Sequence, residues 1–582
     1  MNNEYKEYGG DFKLSKVFKK HTYTILIIFL ILSILTGCSN SNSDSEDKYN
    51  LTIDIIGSGE VKSGDINFEP DNPVKYKENS IITLETIANQ DWYFKDWGGN
   101  DENDVIPEGD KWKIKIDEDK NITAIFSEDS TADLSDGKGN IILENFDSND
   151  YALALIYSRD NGGQTSWNIG EFKTGNSDNT TEKNINKSES KSKLPLGGSQ
   201  NKYIKELELE TRKNHSTLNK TMPLYLSATE ELSLGDEKEF NVYQGSESAG
   251  FKNVTAMLKA KGKESLIWID NSIKVTEDDI SKMKHRFENK IYSTVTSNFG
   301  EEPNANNFSA LANKDDRINI LVTPLKDENN NTWAGGYFWS IDLYSQKDYP
   351  NSNERKIFYI HHYDWDALDY QIGTIAHEFQ HMIFYNEKII NEKPLYGTRS
   401  DSWINEGFSQ LAEDMSGYGY RNGTDSDLSA YLDNPGDTSL LYWGQTTADY
   451  NISYLFARYI YDRFGKGIID YVHEFDESYK EAISSYTGLS FERLYEDWSL
   501  ALVFDSNDEI IESKYNFSSI DISRPAVTVL EEGQVWKDKT VKGWSNIYTV
   551  IEKGNGNDLN IEVNNAAVDG EMKMKIYERS VK

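Results

Sequence analysis

Residues 373–385 read GTIAHEFQHMIFY, and the spacing of their two histidines restricts what this chain can become more than any other feature. On a helix, His377 and His381 lie about 40° apart on one face and one turn apart along the axis. Ile372, Ile375, Ala376, Phe379, Met382 and Ile383 surround them with enough apolar surface to bury the helix. Two buried imidazoles need polar partners, and one metal ion satisfies both, since a zinc–nitrogen bond of ~2.0–2.1 Å suits this spacing. Glu378, next to the first histidine, reaches a water on such an ion without being a ligand itself. A surface helix carrying two histidines and a glutamate is the plainer alternative, and the apolar flanks count against it.

A catalytic zinc takes a third protein ligand and keeps one position open. Downstream lies Ser402-Trp403-Ile404-Asn405-Glu406-Gly407-Phe408-Ser409-Gln410-Leu411-Ala412-Glu413. Here the chain resembles the gluzincin metallopeptidases, whose third ligand is the glutamate of a Trp-Leu-Asn-Glu-Gly-like motif on a second helix. Within them it is most similar to the hyicolysin family of secreted bacterial metallopeptidases. The similarity rests on HEFQHMI, on WINEG, and on the upstream stretches SLGDEKEFNV and VTAMLKAKGKESLIWID, and covers about residues 230–505. It implies one zinc per chain held by His377, His381 and Glu406, with Glu378 as general base and a protein or peptide as substrate. Nothing in the sequence argues for calcium. Glu413 is two helical turns beyond Glu406 on the same face, so it is either an orienting partner for a ligating histidine or a solvated helix charge.

A peptidase also needs a donor where negative charge develops on the scissile carbonyl. The stretch from Asp449 to Gly465 resembles the helix of aminopeptidase relatives that a tyrosine opens, which implies Tyr450 in that role, with Tyr454 in reserve. The alternative is that Tyr450 only packs, and its separation from Glu406 is shorter than in those relatives. His361 and His362 beside Asp364 and Asp366 suggest a second metal site, but adjacent strand residues face opposite ways, and we read a strand end near the cleft. Trp333-Ala334-Gly335-Gly336-Tyr337-Phe338-Trp339 reads as an edge strand or loop able to pair with an extended peptide.

At the other end, Lys13, Lys16, Lys19 and Lys20 precede the apolar run Ile25–Leu32, and Leu35-Thr36-Gly37-Cys38 follows. Basic residues, a short apolar stretch and small residues are the signature of a secretory leader, and the run is shorter than the ~20 residues a spanning helix needs. Leu-Thr-Gly-Cys resembles the bacterial lipobox, which implies lipid on Cys38, the one cysteine in the chain, and membrane attachment outside the cell. The alternative is a membrane anchor with an incidental cysteine. One cysteine rules out intramolecular disulfides. With 61 Lys and Arg against 97 Asp and Glu, the formal charge is −36, which repels a nucleic acid in the absence of a basic patch.

The remaining pattern suggests a multidomain chain: small β modules at the N-terminus, an α+β zincin-type catalytic domain, and a C-terminal β unit. We expect a leader over 1–37, a polar tether over 38–50, and a β module over 51–128. That module resembles a divergent internalin-type B-repeat through its GSG, its Trp-Tyr-Phe-Lys-Asp-Trp-Gly-Gly turn and its closing ITAIF strand; it serves as a spacer or as an adhesive unit. A β-rich region is expected over 133–255, with a polar linker near 174–193. The catalytic domain follows over 256–505, and a β domain over 506–582. A zinc peptidase, an endopeptidase by its nearest resemblance, exported and tethered by lipid, is the function this organisation suggests. A surface adhesin or binding lipoprotein with a structural metal is the other reading, and an intact Glu378 weighs against it.

Overall fold

The computed structural model describes residues 48–182, 231–390, 402–419, 428–505 and 513–580, less 90–91, 109–110, 129, 149, 162, 164, 176–180, 245–249, 305–310, 312–314, 328–331, 364–365, 476–477 and 568–570. The leader and Cys38 lie outside these residues. The chain is multidomain, with several β-sheets and a helical region.

Residues 48–128 form two facing sheets around their own core. One runs in the order Val74–Lys77, Lys48–Ile56, Lys120–Glu128, Trp92–Gly98, and the other in the order Ile66–Asn67, Gly59–Ser63, Ser80–Ala88, Lys111–Ile116, Val105–Glu108. Strand alternation puts Leu51, Ile53, Leu84, Ile114, Ile122 and Phe126 inside. The turn after the first strand needs its glycine: Gly57 has φ 85°, and a Cβ there would lie 2.1 Å from the Phe126 carbonyl oxygen.

The next strands divide differently from the segments expected on sequence. Residues 130–182 and 527–580, assigned above to separate units, are interleaved in one sandwich. Its first sheet is ordered Ser130–Asp133, Met572–Ser580, Asp150–Ser158, Asn546–Glu552, Val527–Glu531. Its second is ordered Lys138–Phe146, Asn557–Ala566, Ser166–Thr174, Gln534–Lys542, Thr181–Glu182. Alternation marks a strand but not its partner, and here the partners are some 400 residues apart. Thr181–Glu182, inside the expected linker, is one of these strands.

The central region also starts earlier than residue 256. A six-stranded sheet runs Glu237–Tyr243, Phe251–Lys261, Ser265–Asp270, Ile318–Thr323, Ile357–His361, Gly336–Phe338, so the expected boundary falls inside its second strand. Ser265–Asp270, Ile318–Thr323 and Ile357–His361 are mutually parallel and apolar on both faces, as parallel strands covered on both sides must be. Ile267, Ile269, Ile320 and Ile360 face the helices, while Leu266, Trp268, Leu321 and Tyr359 face the other way.

On the helical side lie α1 (Glu277–Arg286), α2 (Tyr292–Phe299), α3 (Leu368–Tyr385), α4 (Ser402–Met415), α5 (Thr447–Phe464), α6 (Gly467–Glu474), α7 (Tyr479–Thr487) and α8 (Phe491–Phe504). Helix α5 starts at a capping box in which Thr446 and Asp449 satisfy each other's backbone N–H, and it stops at Gly465 with φ 71°. Helix α8 docks on the sandwich. Tyr157 donates its hydroxyl to Glu496 at 2.5 Å, and Lys575 lies 2.6 Å from the other oxygen of that carboxylate. The sandwich is thus part of the central core: Leu153, Leu155 and Tyr577 pack in the same apolar cluster as α8. Among the described residues, no helix is long and apolar enough to cross a membrane.

Candidate metal centre

Helix α3 is buried almost from end to end, from Gln371 through Tyr385. It is pinned between the edge strand Gly336–Phe338 and helix α4, and it therefore presents polar side chains into an interior that must satisfy them. His377 and His381 do so with their rings at 81° and centroids 4.8 Å apart. Helix α4 supplies Glu406, whose Oε2 lies 3.3 Å from His377 Nε2 and 3.6 Å from His381 Nε2.

These three are the one group of histidine, cysteine and acidic side chains among the described residues placed to share a metal ion, with their donor atoms all within 4.8 Å of one another. The donor set fits such an ion. Two imidazole nitrogens and a carboxylate oxygen are zinc ligands, and the two nitrogen–oxygen separations are close to the ~3.4 Å edge of a tetrahedron with bonds of ~2.1 Å. The charge balance fits as well. Burial disfavours a charged His377, yet hydrogen bonding to Glu406 and Glu413 outweighs it and carries the ring up to about 10. The pocket therefore favours positive charge.

The far sides of the two rings are held by α4. Glu413 Oε1 lies 2.7 Å from His377 Nδ1 and also accepts from Gln410 Nε2 at 2.9 Å. The Nδ1 of His381 is 3.2 Å from Asn405 Oδ1 and 3.0 Å from Ser409 Oγ. With Nδ1 engaged, each ring keeps Nε2 for the shared point. Helix α4 packs closely on α5 because position 407 is glycine: a Cβ there would sit 2.6 Å from the Ser453 carbonyl oxygen of α5.

Glu378 points the other way, toward the edge strand. Its Oε2 accepts the Phe338 N–H at 2.8 Å, while Oε1 is buried with no hydrogen-bond partner among the described residues. Burial pushes this carboxyl up to about 8; the His377 ring opposes the rise and Glu406 adds to it. Tyr450 closes a further side, its ring 6.3 Å from that of His377. Burial, followed by the charges of Glu406 and Glu378, holds its phenol well above the ordinary tyrosine range. Tyr454, one turn along, is fully buried in the apolar core.

His361 is engaged elsewhere, and neither it nor His362 belongs to a metal-holding group among the described residues. His361 Nδ1 accepts the Leu325 N–H at 2.8 Å and its ring meets Tyr363 edge-on, while the His362 N–H donates to the Thr323 carbonyl. Asp364 lies outside the described residues. Asn405, Ser409 and Gln410 were not singled out on sequence, although they stand at −1, +3 and +4 from Glu406 and share its side of the helix. The Phe338 N–H carries no sequence signal.

No family model matches the chain. Part of it is similar to the neutral metalloprotease ShpI of Staphylococcus hyicus, with 30% identity over 224 residues, or 36% of this chain and 48% of that protein. The chain thus spans about half the length of the curated relative it matches. The similarity is to a metalloprotease, and the buried His377–His381–Glu406 group is one that could hold a metal ion.

Proposed function

We propose that the chain is a zinc endopeptidase of gluzincin type, secreted and held at the outer side of a bacterial membrane by lipid on Cys38. The observation that carries the reading is the pairing of a buried two-histidine, one-glutamate donor set with a buried carboxylate, Glu378, that is not part of it. A structural metal has no use for a base at that position.

A zinc ion bound there would polarise the scissile carbonyl and acidify a water. The chain's own groups do the rest. Oε1 of Glu378, interior and with no partner among the described residues, takes the proton from the attacking water and delivers it to the departing amine as the carbon–nitrogen bond breaks. The Phe338 N–H on Oε2 fixes the carboxylate's direction. Tyr450 donates to the carbonyl oxygen as charge builds there. Gly336–Phe338 is the last strand of its sheet, and an extended substrate pairs along it. The module at 51–128 acts as a spacer between membrane and peptidase, and the acidic surface keeps the molecule soluble.

The test is zinc content and cleavage of casein or a peptide library by wild type and Glu378→Gln. We expect one zinc in each protein, and activity in the wild type alone. Zinc without cleavage of any peptide by the wild type would transfer the chain to the second reading, a binding lipoprotein with a structural metal.

A further inference from the structure

The chain between the single helical turn Ser429–Leu432 and the start of α5 runs from the sandwich to the metal centre, and it ends in a tryptophan packed on Tyr450. Its first part is fastened to the sandwich. Ser545 Oγ donates to the Gly436 carbonyl at 2.8 Å, and the Leu440 N–H donates to the Trp544 carbonyl at 3.0 Å. A Cβ on Gly163 would lie 2.2 Å from Tyr442 Cβ, so the strap also rests directly on the loop after Asp150–Ser158. Its last part turns back sharply: Gln445 has φ 65°, and a Cβ on Gly444 would be 3.0 Å from Asp449 Oδ2. This turn lays the 7% exposed Trp443 against Tyr450, with centroids 4.7 Å apart and planes at 80°.

An edge-to-face pair of this kind is directional. A tyrosine in the first turn of a helix has its backbone set by the helix cap, but its ring direction is set by what it packs on. That ring meets His377 at 6.3 Å and, more closely, Trp443 at 4.7 Å between centroids. We propose that Trp443 is a positioning residue for Tyr450: it holds the phenol toward the metal centre, and the sandwich supports it through residues 435–443. The proposal rests on the reading of Tyr450 as the carbonyl-oxygen donor. It gives the sandwich, built from residues 130–182 and 527–580, a part in the reaction.

The experiment is a double-mutant cycle on the full chain, with kcat and KM on a fluorogenic peptide drawn from the casein-cleavage sites, zinc content, and unfolding midpoint for each protein. Tyr450→Phe is expected to lower kcat by about 10²-fold. Trp443→Ala should lower kcat by ~10-fold or more, with KM within about twofold and zinc retained, and Trp443→Phe should recover most of the loss. In the Tyr450→Phe background, Trp443→Ala should then cost little more, because the two act as one unit. A Trp443→Ala protein with wild-type kcat, or one losing the same factor with and without the Tyr450 hydroxyl, overturns the proposal and leaves the reading of Tyr450 standing. Tyr450→Phe at wild-type kcat removes that reading and the proposal with it. If Trp443→Ala is too unstable to assay, the cycle run with Trp443→Phe and Trp443→Leu decides on the same criterion.

Discussion

Glu413 lies 2.7 Å from the Nδ1 of His377 and seven residues beyond Glu406, so one helix both completes the donor set and orients a member of it. A carboxylate there fixes the tautomer and raises the basicity of Nε2. Glu413→Ala is therefore expected to weaken zinc binding by about 10–100-fold while leaving the unfolding midpoint of the zinc-loaded protein nearly unchanged. Competition with a chelator of known affinity measures it, and wild-type affinity in the variant would show that the ring is oriented without the carboxylate.

Gly407 places Glu406. With the Ser453 carbonyl 2.6 Å and Ala457 Cβ 3.2 Å from a Cβ at that position, and the opposing group rigid helix backbone, Gly407→Ala must push α4 away from α5. Overpacking of this kind costs about 1–3 kcal/mol. We expect a lower unfolding midpoint together with weaker zinc binding, because the displaced helix carries Glu406, Asn405, Ser409 and Glu413. A variant that loses stability and keeps full zinc affinity would mean that the shift is absorbed by α5.

The three residues that the fold brings together, His377, His381 and Glu406, could be named from the sequence because the information that marks them is local. A histidine pair one turn apart and a glutamate inside a recognisable motif are short-range patterns, and the helices that carry them announce their burial through apolar flanks. What it missed depends on pairings between distant segments. Asp150–Ser158 looks like a strand, but nothing in YALALIYS tells that its partners are Asn546–Glu552 and Met572–Ser580. For the same reason the boundary at residue 256 cut a strand whose register with Ser265–Asp270 is set by tertiary packing. Trp443 is the same lesson at the site: one tryptophan among 13, distinguished only by a turn that folds it onto Tyr450.

The joint between α8 and the sandwich should be sensitive to the loss of one charge and tolerant of the loss of both. Lys575 is 2% exposed and faces Glu496 at 2.6 Å, with Tyr157 on the other carboxylate oxygen. Lys575→Met leaves Glu496 interior without its cation, a change worth about 3–5 kcal/mol. The double variant Lys575→Met, Glu496→Leu should recover much of that loss, since replacing a buried ion pair by apolar groups is often near neutral. Denaturant unfolding of the two variants gives the comparison. A larger loss in the double variant than in Lys575→Met would mean that the Tyr157 hydrogen bond to Glu496, removed only there, and not the ion pair, holds the joint.

Asp342, just beyond the edge strand, gives the fold a pH dependence of definite sign. It is fully buried, and burial pushes its carboxyl up to about 7 despite hydrogen bonds from the Asn353 N–H at 2.7 Å and the Tyr359 hydroxyl at 2.7 Å. In the unfolded chain the same group titrates near 3.9. The folded state therefore holds the proton more tightly, so this contribution is fully present below about pH 4 and is lost as the pH rises through 7. Replacing Asp342 by Asn keeps a neutral group of the same shape, with an oxygen for Asn353 and an amide able to donate to the Tyr359 oxygen. The Asp342→Asn protein should match the wild type at pH 4 and exceed it at pH 8 by up to ~4 kcal/mol. Denaturant unfolding at pH 4, 6 and 8 follows the difference. A gap that does not widen over that range would mean that Asp342 stays charged in the fold, with its two donors outweighing its burial.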